Sequence, residues 1–171
     1  MMSARQSNAI MGTFTHPSDH PDLPDRHANI GASYHDRYTR LGEPNDLEKA
    51  IESLSHALTT SPDNHPNLLL RHDALGVIYG DRFQLLGEMG DLEKSMEYRS
   101  RALSLTPGGH QDLARRHAAL GASYIERYRR LGEIDDLEKA IGCDSRALEL
   151  TPANHPDFPR RHADLGMSYV Q

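Results

Sequence analysis

Four pairs of histidines stand seven residues apart: His20 and His27, His65 and His72, His110 and His117, His155 and His162. Imidazole nitrogens are zinc ligands, so this spacing raises metal chemistry first. Seven residues on a helix make two turns, about 10 Å along the axis, whereas zinc requires its nitrogens at about 2.0–2.1 Å. Neighbouring helices also run about 8–10 Å apart, which works against a site shared between them. No metal site is expected. The first histidine of each pair lies in a proline-containing connector, where a ring nitrogen can fasten a turn by hydrogen bonding. Cys143, the single cysteine, would need a base at hydrogen-bond reach to act as a nucleophile, and its local sequence offers none. Arg26, Arg71, Arg116 and Arg161 precede the second histidine of each pair, and Asp36-Arg37, Asp81-Arg82 and Glu126-Arg127 recur in the same register. A catalytic centre gathers unlike groups at one place. These residues form ladders, which suit ion pairs between repeats or stems packed along apolar surface.

The elements that carry these residues repeat. His27-Ala-Asn-Ile-Gly-Ala-Ser-Tyr34 returns as His72-Asp-Ala-Leu-Gly-Val-Ile-Tyr79, as His117-Ala-Ala-Leu-Gly-Ala-Ser-Tyr124 and as His162-Ala-Asp-Leu-Gly-Met-Ser-Tyr169, each 45 residues after the last. Leu41-Gly-Glu-Pro-Asn-Asp-Leu-Glu-Lys-Ala-Ile51 keeps the same step, as does the connector Ser61-Pro-Asp-Asn-His-Pro66. Such a period is the mark of a stacked-repeat architecture.

Within a unit the apolar residues follow a helical period. Leu23, Ile30, Tyr34, Tyr38 and Leu41 fall on one stripe, repeated by Leu68, Leu75, Tyr79, Phe83 and Leu86 and by Leu113, Leu120, Tyr124, Tyr128 and Leu131. Gly42, Gly87 and Gly132 follow at the place where a helix ends in a left-handed residue. A first helix, A, is therefore expected over about residues 22–41 and its equivalents. A second, B, should begin at Asn45-Asp-Leu-Glu48 and Asp135-Asp-Leu-Glu138, which have the form of capping boxes, with a link of three or four residues between A and B. Its apolar face is Leu47, Ala50, Ile51, Leu54, Ala57 and Leu58. Pro62, Pro107 and Pro152 stop it. One hairpin cannot bury its own stripe, so equivalent hairpins must stack into a continuous core. Gly31, Gly76, Gly121 and Gly166 sit within the stripe, where a missing side chain lets backbones approach.

With Leu75-Gly76-Val-Ile-Tyr79, Leu120-Gly121-Ala-Ser-Tyr124 and Leu165-Gly166-Met-Ser-Tyr169 in helix A, and Ala50, Ala57 and Pro62 in helix B, the chain resembles the tetratricopeptide repeat (TPR) family. It is similar to a long variant, since 45 residues replace the usual 34. Fungal arrays of that length often adjoin a caspase-like CHAT domain or a nucleotide-binding switch domain. The large aromatic residue expected between the two alanines is missing, its place taken by Leu54, Arg99 and Asp144. The resemblance implies an all-α, right-handed solenoid of antiparallel helix hairpins, with units of about 20–64, 65–109, 110–154 and a half unit 155–171 after a degenerate N-terminal segment or weak cap, 1–19. The recurring tyrosines Tyr34, Tyr79, Tyr124 and Tyr169 are read as structural. The family pattern places a concave groove along helix A, lined by Asp25, Ala32, His35 and Asp36, by Leu70, Val77, Asp81 and Gln84, and by Arg115, Ala122, Glu126 and Arg129.

Composition narrows the partners. A net charge of −6 and the lack of interleaved aromatics count against nucleic acid, and no apolar run is long enough for a membrane span. One cysteine fits an intracellular, cytoplasmic setting. The function expected is a non-catalytic scaffold that binds a protein or peptide in the groove without a cofactor. The alternatives are a regulatory fragment of a larger protein, such as a CHAT peptidase-like one, and a receptor for a small ligand or nucleic acid. Leu165, Met167 and Tyr169 in the final helix A form an apolar face that invites self-association, or continuation of the array beyond Gln171.

Overall fold

The computed structural model describes residues 22–170, so the weak cap expected over 1–19 and the connector containing His20 lie outside the described residues. Among the described residues seven helices follow one another: α1 Leu23–Leu41, α2 Pro44–Thr59, α3 Leu68–Leu86, α4 Met89–Leu105, α5 Leu113–Leu131, α6 Ile134–Glu149 and α7 Phe158–Val170. No strand occurs among the described residues.

Each A helix ends as its glycine dictates. Gly42, Gly87 and Gly132 all adopt φ 72°, a left-handed conformation that a Cβ would penalise. Their amides close back onto the carbonyls of Tyr38, Phe83 and Tyr128 at 2.8, 2.7 and 2.7 Å. The B helices start at Pro44, Met89 and Ile134, so the N-cap stands two residues earlier than the capping-box reading, at Glu43 and Glu133, and the link shrinks to a glycine and a glutamate. Pro44 suits this first position because its missing N–H would have had no helical partner. The capping boxes themselves do not form: none of Glu43, Glu88 and Glu133, now the N-cap residues, makes a side-chain cap. The expected caps, Asn45 and Asp135, fall inside the first turn, and the aspartates next in the chain, Asp46 and Asp136, with their equivalent Asp91, take an acceptor role instead.

That role is a bidentate pair with the preceding A helix. Arg82 donates to Asp91 through Nε and a terminal nitrogen at 2.8 and 2.5 Å, and Arg127 to Asp136 at 2.8 and 2.5 Å. Arg37 grips Asp46 in the same way. Each guanidinium also lies over the tyrosine three residues before it, at 5.2 Å from Tyr34, 5.2 Å from Tyr79 and 5.8 Å from Tyr124. Tyrosine, arginine and aspartate thus weld A to B inside each hairpin. The ladder expected to run between repeats runs within them at these positions. Tyr169 has no such arrangement and is 67% exposed.

Hairpins α1/α2, α3/α4 and α5/α6 stack in order, with α2 against α3, α4 against α5 and α6 against α7. Leu47, Ala50, Ile51 and Leu54 of α2 bury with Leu75 and Ile78 of α3, while Phe83, Leu92, Met96 and Leu120 form the next cluster. Burying one such side chain contributes roughly 1.5–3 kcal/mol. The stripe does not stay buried to its end. Leu41, Leu86 and Leu131 are half or more exposed, because each is the last helical residue and projects past the two-residue link. Ile30 is also exposed.

Two further ties join repeats. Arg71, 2% exposed, donates to Asp25 of the preceding unit at 2.6 Å, and buried Arg116 reaches Asp73 at 3.4 Å. In the connectors, Nδ1 of His65, His110 and His155 accepts from the amide two residues on, each at 3.1 Å. Those histidines fasten turns.

Candidate ligand groove

Helices α1 and α3 touch each other, as do α5 and α7, while α2, α4 and α6 make no comparable mutual contact. The A helices therefore lie on the crowded inner side of the stack, and the B helices on the outer side. Two adjacent cavities open along the A side. The larger, 480 Å³, lies between α5 and α7, and the smaller, 150 Å³, between α3 and α5. Gln84, Ala122 and Glu126 line both.

The twelve residues read as groove-lining are not equivalent. Arg115, Ala122, Glu126, Arg129 and Gln84 meet around the larger cavity. Asp81 joins Gln84, Ala122 and Glu126 at the smaller one. Asp25 is committed elsewhere: it accepts from Asn67 at 3.1 Å as well as from Arg71, and these bonds, Asn67 first, hold its carboxyl below the usual range. His35 Nε2 donates to Asp81 Oδ2 at 2.7 Å, tying α1 to α3. Ala32, Asp36 and Leu70 are exposed and Val77 is half-buried, and none of the four borders either cavity. Asp36 instead lines a separate recess of 420 Å³ on α1, with Ser33, Arg37, Arg40 and Leu41.

No protein-family model matches the chain, and no curated protein matches it. Among solved structures, a crystal structure of nearly identical TPR-like repeats from Podosopora anserina, in a protein provisionally named a kinesin light chain, superposes with a TM-score of 0.60 at 15% identity, covering 88% of this chain and 67% of that one. The fold is a TPR-like α-solenoid.

In this TPR-like frame the stripe glycines show their purpose. A Cβ on Gly31 would come within 2.7 Å of Leu54 Cγ, on Gly76 within 2.8 Å of Arg99 Cγ, and on Gly121 within 2.6 Å of Asp144 Oδ1. Nothing lies within 4 Å of one built on Gly166, so the close approach belongs to three of the four positions. The residues that occupy the space are those standing where the family's aromatic is absent. From there each faces the next repeat at a spacing of 24: Leu54 shares one apolar cluster with Ile78, Arg99 donates to Ser123 Oγ at 2.6 Å, and Asp144 accepts from Ser168 Oγ at 2.6 Å. Arg99 lines the smaller cavity and Asp144 the larger. Sequence reasoning noted these three only as departures. The one signal was their unlikeness in kind, an apolar, a basic and an acidic residue at the same register position.

Burial shapes the remaining chemistry. It pushes the Cys143 thiol up to about 11, helped by neighbouring Asp144, so the thiolate that nucleophilic chemistry needs is scarce at neutral pH. It also pulls His72 and His117 below the ordinary histidine value, favouring neutral rings packed in the hairpins. Among the described residues no group of three or more His, Cys, Asp or Glu side chains could hold a metal ion, and no helix is long and apolar enough to cross a membrane.

Proposed function

We propose that the chain is a non-catalytic interaction scaffold that holds a peptide segment of a partner protein along its A-helix side. The observation that carries this reading is the pair of adjoining cavities over α3, α5 and α7, which share Gln84, Ala122 and Glu126 as a common wall. A segment laid across the A helices would cross both. Support comes also from the architecture, because stacked helical repeats present extended inner surfaces that serve as protein and peptide sites. The net charge of −6 favours a peptide over a nucleic acid.

The test is selection of 12-residue peptides from a random displayed library on the purified chain, followed by titration of synthetic copies. Glu126→Lys reverses a charge on the shared wall at a half-exposed position, so the fold should persist. The reading expects selected peptides that bind the parent chain and lose affinity at least severalfold on the Glu126→Lys chain. A library that yields no binder defeats it.

A further inference from the structure

The two residues beneath these cavities carry opposite charges, and neither makes a direct ion pair. Arg99 donates to the Ala119 carbonyl at 2.8 Å and to Ser123 Oγ at 2.6 Å, both neutral acceptors, and its Nε is buried without a partner. Asp81 and Asp73 act on it only at longer range. Asp144 is 4% exposed and accepts from Ser168, a hydroxyl. Arg161 acts on it only from beyond direct contact.

The other buried charges behave differently. Asp46, Asp91, Asp136 and Arg71 each touch an opposite charge directly. An ion removed from water without such a partner is costly, and entry of a counter-charge offsets that cost. Arg99 and Asp144 each border a cavity that a ligand side chain can enter. At the first junction the equivalent residue is Leu54, which is closed into an apolar cluster and offers no such place.

We propose that the groove recognises a peptide bearing an acidic side chain that meets Arg99 and a basic side chain, one repeat further along, that meets Asp144. This rests on the peptide-groove reading above and specifies what that groove selects. The two side chains end against α5 and α7, which touch; helices in contact lie about 8–10 Å apart and an extended chain advances about 3.3–3.6 Å per residue, so the two ligand residues stand about two to three positions apart. Ala122, between the two cavities, leaves space for the intervening backbone.

The same random 12-residue library, panned on the parent chain in low salt, decides the matter through the composition of its binders. Enriched peptides should pair Asp or Glu with Lys or Arg at that spacing. Replacing either charged residue of a selected peptide with Gln should weaken binding about tenfold, a change of about 1.4 kcal/mol. Because the protein is unaltered in that arm, its folding cannot confuse the result. On the protein side, Arg99→Gln should abolish sensitivity to the peptide's acid and spare sensitivity to its base, and Asp144→Asn should do the reverse. Binders that lack the pair, or that tolerate both Gln replacements, overturn this inference while leaving the groove reading intact if Glu126→Lys still weakens them. Failure to enrich any peptide overturns both.

Discussion

Asp91, 4% exposed, accepts two hydrogen bonds from Arg82 across the turn that joins α3 to α4. The pair fixes the angle of the hairpin at the one place where it has only two residues of link. Arg82→Ala would leave a buried carboxylate with neither counter-charge nor donor, so we expect a loss of about 2 kcal/mol in urea unfolding. Arg82→Lys should recover only part of it, since an ammonium cannot match both carboxylate oxygens in the same plane.

The stripe glycines divide by what faces them. Gly31→Ala should destabilise by more than 1 kcal/mol, because its Cβ meets Leu54 Cγ at 2.7 Å and the Ala50 carbonyl at 3.1 Å. Gly166→Ala meets nothing within 4 Å and should stabilise by about 0.5–1 kcal/mol through helix propensity alone. Thermal denaturation of the two variants should move in opposite directions.

Burial raises the Asp144 carboxyl above its ordinary value, opposed by the Ser168 hydrogen bond. A raised carboxyl favours the folded state most when protonated, and that advantage is lost as pH rises through the folded value. Asp144→Asn keeps an acceptor for Ser168 and removes the charge. The variant should therefore melt at or above the parent temperature at pH 7, with the gap closing as pH falls toward the unfolded aspartate value near 3.8. A lower melting temperature at pH 7 would show that the ionised form is preferred.

Cys143 should react sluggishly. With its thiol pushed up to about 11, alkylation by iodoacetamide at pH 8 should be at least tenfold slower than for the unfolded chain, whose thiol sits near 8.5. The rate should climb steadily up to about pH 11, and 6 M urea should abolish the difference.

Helix limits were legible because they depend on local chemistry. Gly42, Gly87 and Gly132 mark a left-handed stop whatever surrounds them, and the connector histidines act on an amide two residues away. Reading failed where a side chain had a choice of partner. Asn45 and Asp135 read as helix caps, yet both lie inside the first turn, and the aspartate after each, Asp46 and Asp136, is held by an arginine nine residues earlier in sequence. The same limit applied to the groove. The family resemblance pointed to Arg115, Ala122, Glu126 and Arg129, four residues that line one cavity, but a resemblance cannot tell that Asp25 is already spoken for by Asn67 and Arg71. Nor could it see that Arg99 and Asp144, on the B helices, project between the A helices to reach the floor.

The invariant 45-residue step means that excising residues 65–109 would splice two equivalent points of the backbone and leave a shorter rod with all its turns intact. The splice would nonetheless set Leu54 opposite Ser123, a methyl-rich side chain against a hydroxyl that Arg99 now satisfies. Units alike enough to be interchanged thus differ in a side chain that each lends to its successor, and a shuffled array would fold with mismatched seams.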